Sequence, residues 1–218
     1  MFCSPLIDDV ANASRLHVYL SIFTEEVHQQ LLNSVLQWAP NRSHGLHSCF
    51  LASCRCDYWY GRGCAANNPL PDYMRILCMI MSEIFYHSGK QYNALHVNLF
   101  LEKSKLTTHA DNERMLGPQP NILSFSLGST RTFRVTDTSG GFTDIPLPHG
   151  TFAQMSGDLQ RFYTHEILRD ETYEGPRINF TFREIVQHGC DSQDAVVRDI
   201  THNSVPDLNP HQIKWYSS

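Results

Sequence analysis

The seven residues Arg177-Ile178-Asn179-Phe180-Thr181-Phe182-Arg183 alternate without a break, polar at every odd position and apolar at every even one. A strand repeats its side-chain direction every second residue. The stretch therefore predicts a β-strand with Arg177, Asn179, Thr181 and Arg183 on one face and Ile178, Phe180 and Phe182 on the other. Upstream of it, short runs rich in aromatic and branched residues recur at 94–101, 121–127, 131–136 and 151–156. Gly117-Pro118, Gly128-Ser129, Ser139-Gly140-Gly141, Pro148-His149-Gly150 and Gly175-Pro176 punctuate these runs with turn chemistry. Before Lys90 the period lengthens. Thr24 is a candidate N-cap for Glu25-Glu26, and Val27, Leu31 and Val35 follow at four-residue spacing up to Trp38, where Pro40 stops the pattern. A second helix is predicted from about Pro71 to His87, with Ile76, Leu77, Ile80, Ile84 and Phe85 as its apolar face and Gly89 suited to its C-terminal cap. Helices followed by a dense series of strands predict an α+β domain with an antiparallel sandwich or jelly roll. The domain is expected over residues 1–186, divided into helical support at 1–90 and a strand-built core at 91–186. Beyond Val186 the hydrophobic pattern fades, and 187–218 reads as a C-terminal tail.

The 218 residues suffice for one domain with its own core, and 41% apolar with 18% charged residues is a globular composition rather than a disordered one. No apolar run approaches the roughly 18 residues that span a bilayer, and Met1-Phe2-Cys3-Ser4-Pro5 lacks a basic lead into an apolar stretch. The expectation is an intracellular protein of the cytoplasm or nucleus, not secreted and without membrane contact. The seven cysteines, an odd number, fit reduced thiols. Lys and Arg number 17 against 22 Asp and Glu, for a formal net charge of −5, which argues against gripping long duplexes by phosphate neutralisation. The acids concentrate after residue 183, so a local basic groove stays compatible with the total; Arg42, Arg55 and Arg62 against Asp57 form one such patch.

His109-Ala110-Asp111 places an imidazole and a carboxylate two residues apart, on the same side of an extended segment. They can converge on one ion if a third ligand arrives from elsewhere, and His165, after a predicted strand and turn, is a candidate. Two histidines and one carboxylate on one face of an octahedron leave three open positions, as in non-haem Fe(II) oxygenases. A solvated loop carrying a histidine and an acid has the same spacing. The polar face of 177–183 is similarly two-sided: it fits an edge strand with a wet outer face, or an inner wall with two buried guanidiniums. Buried guanidiniums require anions, and a dicarboxylic acid held by carboxylate forks is the natural partner.

Across roughly residues 55–185 the chain resembles the AlkB family of Fe(II)- and 2-oxoglutarate-dependent dioxygenases. The resemblance rests on ordered motifs: Asn98-Leu99-Phe100, His109-Ala110-Asp111-Asn112-Glu113, Leu116-Gly117-Pro118, Ser124-Phe125-Ser126-Leu127-Gly128, Met155-Ser156-Gly157-Asp158, His165, and Arg177-x-Asn179-x-Thr181-x-Arg183. It implies a double-stranded β-helix (jelly roll) supported by the N-terminal helices, and oxidative removal of alkyl groups from nucleobases such as N1-methyladenine or N3-methylcytosine. It further implies Fe(II) held by His109, Asp111 and His165, with 2-oxoglutarate and O2 as co-substrates. Arg177 would pair with the distal carboxylate of 2-oxoglutarate, helped by Asn179, while Arg183 and Asn98 would address the end nearest the metal. The family pattern beside that asparagine is N-x-Y, whereas this chain has Phe100. The missing hydroxyl removes one hydrogen bond, about 1 kcal/mol, so weaker 2-oxoglutarate binding is expected.

For the substrate, the resemblance makes residues 1–90 also a base-recognition region. Tyr58 and Tyr60 in Cys56-Asp57-Tyr58-Trp59-Tyr60-Gly61 would share a face and stack on a base taken out of its helix. Glu113 stands where family members contact the damaged base, and a carboxylate accepts from an exocyclic amine or a protonated ring. Alkylated DNA or RNA, single-stranded rather than extended duplex, is the expected partner, met by a monomer. A hydroxylase of a protein or small molecule, or a non-catalytic binding module on the same fold, are the competing readings. His44, His47, Cys49, Cys54, Cys56 and Cys64 form a second cluster whose spacing matches no zinc template.

Overall fold

The structure is a computed structural model that describes residues 6–39, 44–54, 57–60, 63–86, 89–169, 171–172, 174–187 and 213–217, with backbone alone at 60, 63, 64 and 217. The first half runs β1 (Ile7–Asp9), β2 (Ser14–Leu20), α1 (Glu25–Trp38), β3 (Gly45–Ala52), β4 (Tyr58–Tyr60), β5 (Gly63–Ala65), β6 (Asn67–Pro69) and α2 (Asp72–Phe85). The second runs β7 (Ala94–Leu101), β8 (Leu106–His109), β9 (Ile122–Gly128), β10 (Arg131–Asp137), β11 (Phe142–Leu147), β12 (Thr151–Gly157), α3 (Leu159–Phe162), β13 (Tyr163–Ile167), β14 (Arg177–Arg183) and β15 (Tyr216–Ser217).

A large sheet has the order β1-β2-β12-β9-β14-β7-β3-β15, with β6 beside β3; a smaller one has the order β11-β10-β13-β8, and β4-β5 is a separate hairpin. The two sheets face each other as the double-stranded β-helix that the motifs implied.

The alternating strand β14 lies in the middle of the large sheet, antiparallel to β7 and β9, with Asn179 opposite both Asn98 and Ser126. All seven of its residues are buried, so the wet edge strand is excluded. Its apolar face joins Leu123 and Phe125 of β9 and Val97 of β7 beneath Leu31, Val35 and Trp38 of α1 and Met74, Leu77 and Met81 of α2. Each such side chain contributes about 1.5–3 kcal/mol on burial. Its polar face looks toward the smaller sheet, across a second cluster that includes Phe50, Phe100, Phe133, Val135 and Ile167. The two faces of one strand thus serve two different interiors.

Several expectations are corrected. Helix α2 ends at Phe85, with Tyr86 rather than Gly89 as its C-cap, and not at His87, which lies outside the described residues. Its buried face is Met74, Leu77, Cys78, Met81 and Ser82, whereas Ile76, Ile80 and Ile84 of the expected face are exposed. The helix is apolar almost all round, so periodicity alone selects no face. The first 90 residues are more than helical support. β2 pairs with β12, and β3 pairs with β7 along all eight residues, so both are integral to the large sheet. Residues beyond 186 also return to the fold: Ile213 is buried in the core, and Tyr216 pairs with Ser48 of β3.

Candidate metal and co-substrate site

A cavity of about 580 Å³ opens between the sheets, with Asn98, Arg177, Asn179 and Arg183 from the large sheet and His109 and His165 from the small one on its walls. β8 and β13 place His109 directly opposite His165, and the chain leaving β8 brings in Asp111, whose N–H donates to Gln160 Oε1 at 2.8 Å. His109 Nε2 lies 4.0 Å from Asp111 Oδ1, and His165 Nε2 lies 3.9 Å from Asp111 Oδ2. Sequence-local and sequence-distant ligands therefore meet: one atom from each of the three falls within 4.8 Å of the others.

The protonation pattern suits a cation. His109 Nδ1–H donates to the Thr107 carbonyl at 2.8 Å, which leaves the Nε2 lone pair facing the cavity. Burial, reinforced by the neighbouring His109, pushes the His165 imidazole down to about 3, so it stays neutral. Burial works to raise the Asp111 carboxyl, but Arg183 and the surrounding imidazoles outweigh it and hold the group below the ordinary carboxylate range. Arg183 donates through Nη2 to Asp111 Oδ1, and Asp111 Oδ2 is buried without a hydrogen-bond partner. A carboxylate oxygen buried bare beside two imidazole nitrogens is costly unless a cation meets it.

Arg177 presents the complementary problem. It is fully buried (0% exposed), donates Nη2 to Ser126 Oγ at 2.9 Å, and keeps Nε and Nη1 without partners. Burial first, and then the charge of Arg131, pull its guanidinium down to about 9. Two orphaned donors on one fork are what a carboxylate satisfies. The centre of the Phe100 ring lies 4.8 Å from the Arg177 guanidinium carbon, so the ring offers the fork a π face and no hydroxyl.

The remaining expected residues fall as follows. Asn179 Nδ2 donates to Ser124 Oγ and the Phe125 carbonyl, and its Oδ1 accepts from Thr181, so it braces the wall beside Arg177. Asn98 Oδ1 accepts from Ser48 Oγ at 2.6 Å. Arg183 spends its two Nη groups on Asp111 and on His96 Nδ1; it orients the carboxylate, with Nε left over. Tyr58 lines the cavity but is wholly buried, packed on Phe50 and His96 with the Arg183 guanidinium 5.0 Å above its ring. Its ring therefore forms part of the cavity wall. The side chain of Tyr60 lies outside the described residues, and Trp59 between them is exposed. Glu113 faces the same cavity; burial raises its carboxyl, with Arg183 pulling the other way.

His96, Ser48, Ser124, Ser126 and Tyr216 belong to the site but were not singled out from the sequence. Ser124 and Ser126 were legible as the inward parity of β9; His96 and Tyr216 carried no local signal. Arg42, Arg55, Arg62 and Cys56 lie outside the described residues. Among the described residues, the only other group with metal-ligating potential is Glu25, His28 and His149. There Gly128 N–H donates to His149 Nδ1 at 2.9 Å, which puts the ring proton on Nε2, 3.2 Å from Glu25 Oε2. A metal at Nε2 would drive that proton against Gly128 N–H. The trio is a hydrogen-bonded latch between α1 and the turn before β12.

The profile of the 2OG-Fe(II) oxygenase superfamily matches residues 17–183. The chain belongs to that superfamily. Within it, the chain is AlkB-like. It is 33% identical over 147 residues to the alpha-ketoglutarate-dependent dioxygenase alkB homolog 3 of Bos taurus, covering 60% of this chain and 51% of that protein. To the DNA oxidative demethylase ALKBH2 of Arabidopsis thaliana it is 30% identical over 123 residues, covering 45% of this chain and 39% of the relative. This oxygenase chain spans about half the length of the alkB homolog 3 proteins it matches. The solved structure of OsALKBH1 overlays with a TM-score of 0.51 at 17% identity, over 78% of this chain and 97% of that one, a likeness of fold. Fe(II), with 2-oxoglutarate and O2, is the reactant set of the superfamily. The bare Asp111 oxygen beside the His109 and His165 imidazoles fits the metal, and the two unpaired donors of Arg177 fit the keto diacid.

Proposed function

We propose that this protein removes N-alkyl groups oxidatively from nucleobases in DNA or RNA, acting as a monomer on single strands and short loops rather than extended duplex. The observation that carries the reading is the placement of Glu113. Its half-buried side chain lies in the same cavity as the His109, Asp111 and His165 triad and the Arg177 fork, with Oε2 buried and unpaired. Relatives named as DNA oxidative demethylases support the substrate class.

In this reading His109 Nε2, Asp111 Oδ2 and His165 Nε2 hold Fe(II), and Arg183 fixes which Asp111 oxygen is offered. The Arg177 fork takes the distal carboxylate of 2-oxoglutarate, and Asn179, Ser124 and Ser126 keep the fork aimed. When bound, Fe(II) with 2-oxoglutarate and O2 supplies oxidation of the alkyl C–H bond, the keto acid leaving as succinate and CO2 and the carbon as an aldehyde. Glu113 accepts from the exocyclic amine or protonated ring of the base. Its raised carboxyl is drawn to the ionised form by a cationic base, which favours N1-methyladenine and N3-methylcytosine over their neutral parents. The net charge of −5 supports short single-stranded targets. No helix among the described residues is long and apolar enough to cross a membrane. The buried free thiol of Cys78 supports a reducing compartment, cytoplasm or nucleus.

The test is mass spectrometry of m1A-, m3C- and m6A-containing DNA and RNA oligonucleotides, with methylated peptides in parallel, after incubation with Fe(II) and 2-oxoglutarate. Loss of the methyl mass from m1A or m3C is expected. Keto-acid consumption accompanied by modification of peptides alone would replace the nucleobase with a protein substrate.

A further inference from the structure

Residues 213–217 lie beyond the stretch that the superfamily profile matches, 17–183, yet they are bound firmly to the fold. Lys214 N–H donates to Asn68 Oδ1 at 2.8 Å, Asn68 Nδ2 donates back to the Lys214 carbonyl at 3.2 Å, and Trp215 Nε1 donates to the Trp38 carbonyl at 3.1 Å. This anchoring sets Tyr216 against Ser48 at the edge of the large sheet and brings its ring onto the cavity wall beside His96.

From there a chain of hydrogen bonds leads to Asp111, and its direction is fixed. A guanidinium only donates, so Arg183 Nη1 makes His96 Nδ1 the acceptor, at 2.7 Å. The neutral imidazole therefore carries its proton on Nε2, and the hydroxyl oxygen of Tyr216 accepts it. On the other side, Arg183 Nη2 donates to Asp111 Oδ1. The plane of the Arg183 fork thus depends on the His96 ring, and the His96 ring depends on Tyr216.

We propose that Tyr216 is a positioning residue of the iron site, setting the Asp111 carboxylate through His96 and Arg183. The inference rests on the metal reading of His109, Asp111 and His165. Partners one bond removed from a metal ligand typically change metal affinity 10–100-fold when lost; a hydroxyl two bonds further out acts more weakly, about 3–10-fold.

The test is titration of the metal-free protein with Co(II), followed by its absorption, with thermal midpoints alongside. Tyr216→Phe keeps the ring and removes only the hydroxyl. It is expected to weaken Co(II) binding about 3–10-fold with an unchanged midpoint. Met81→Ala empties a core site on the buried face of α2 and removes no hydrogen bond of the segment or the relay; it is expected to lower the midpoint while leaving Co(II) affinity in place. A Tyr216→Phe affinity within twofold of wild type overturns the relay, as does a Met81→Ala loss of Co(II) affinity as large as that of Tyr216→Phe, which would make the effect one of stability alone. Wild-type Co(II) binding that survives His165→Ala instead sinks the metal reading itself, and the relay with it.

Discussion

Replacing Arg177 by Met should make the ligand-free protein more stable and abolish its response to 2-oxoglutarate. The guanidinium is fully buried with Nε and Nη1 unpaired, and each unsatisfied buried donor costs about 1–3 kcal/mol. Against that stand one charged hydrogen bond to Ser126 and the contact with the Phe100 ring, together about 2–3 kcal/mol. A methionine of similar reach removes both sides of this balance and leaves a net gain of about 1 kcal/mol, which in a chain of this size raises the melting midpoint by about 2–4 °C. Differential scanning fluorimetry without co-substrate reads this directly. The same instrument then tests function. With Co(II) present, 2-oxoglutarate at a hundred times its Kd should stabilise the wild type by about 2.7 kcal/mol and the variant not at all. Arg177→Lys keeps the charge but loses the fork, and should raise KM for 2-oxoglutarate about tenfold or more with little change in thermal midpoint. A midpoint 4 °C or more below wild type for Arg177→Met, or a retained response to the keto acid, would refute the assignment of this fork to a carboxylate.

His109→Ala and Asp111→Ala should each eliminate formaldehyde release from methylated oligonucleotides; full turnover in either removes that residue from the metal's coordination. Glu113→Gln should lower kcat/KM for N1-methyladenine about tenfold while sparing the uncoupled conversion of 2-oxoglutarate to succinate, and equal losses in both assays would place Glu113 outside base recognition. Gly128→Ala is expected to destabilise the protein by more than 2 kcal/mol in urea titrations, since Gly128 has φ +87 and an added Cβ would fall 2.1 Å from the Pro176 carbonyl oxygen; a near-wild-type midpoint would show that the turn beside Arg177 yields easily. Phe180→Ala, emptying a wholly buried site under the helices, should cost about 3–5 kcal/mol.

What the sequence disclosed follows from which signals are local. The strand 177–183 was plain because its alternation is complete, and the His109-x-Asp111 pair because two ligands sit two residues apart. Parity assigned residues to faces but did not say that both faces were dry, since that depends on α1 and α2 lying over one and the small sheet over the other. β3 escaped notice because a strand buried on both sides loses its alternation: Cys49-Phe50-Leu51-Ala52 is a continuous apolar run. The face of α2 was misassigned for a related reason, its isoleucines being as apolar as the side it buries. Tyr216 belongs to a two-residue strand, too short for any period, and reaches the site only through the long return of the chain. Arg183 was marked from the sequence by its parity, but its hydrogen-bond partner Asp111 lies 72 positions away, and that pairing is a fact of three dimensions.

The strand Arg177–Arg183 divides its side chains between chambers by parity alone, and this restricts how the chain can vary. Inserting or deleting one residue within it would exchange the two sets wholesale, thrusting guanidiniums among Leu31, Val35 and Met81 and setting phenyl rings on the cavity wall. Point replacements can adjust either chamber separately, but any change of reading length inside these seven positions ruins both together, so descendants of this sequence can grow or shrink only at the turns.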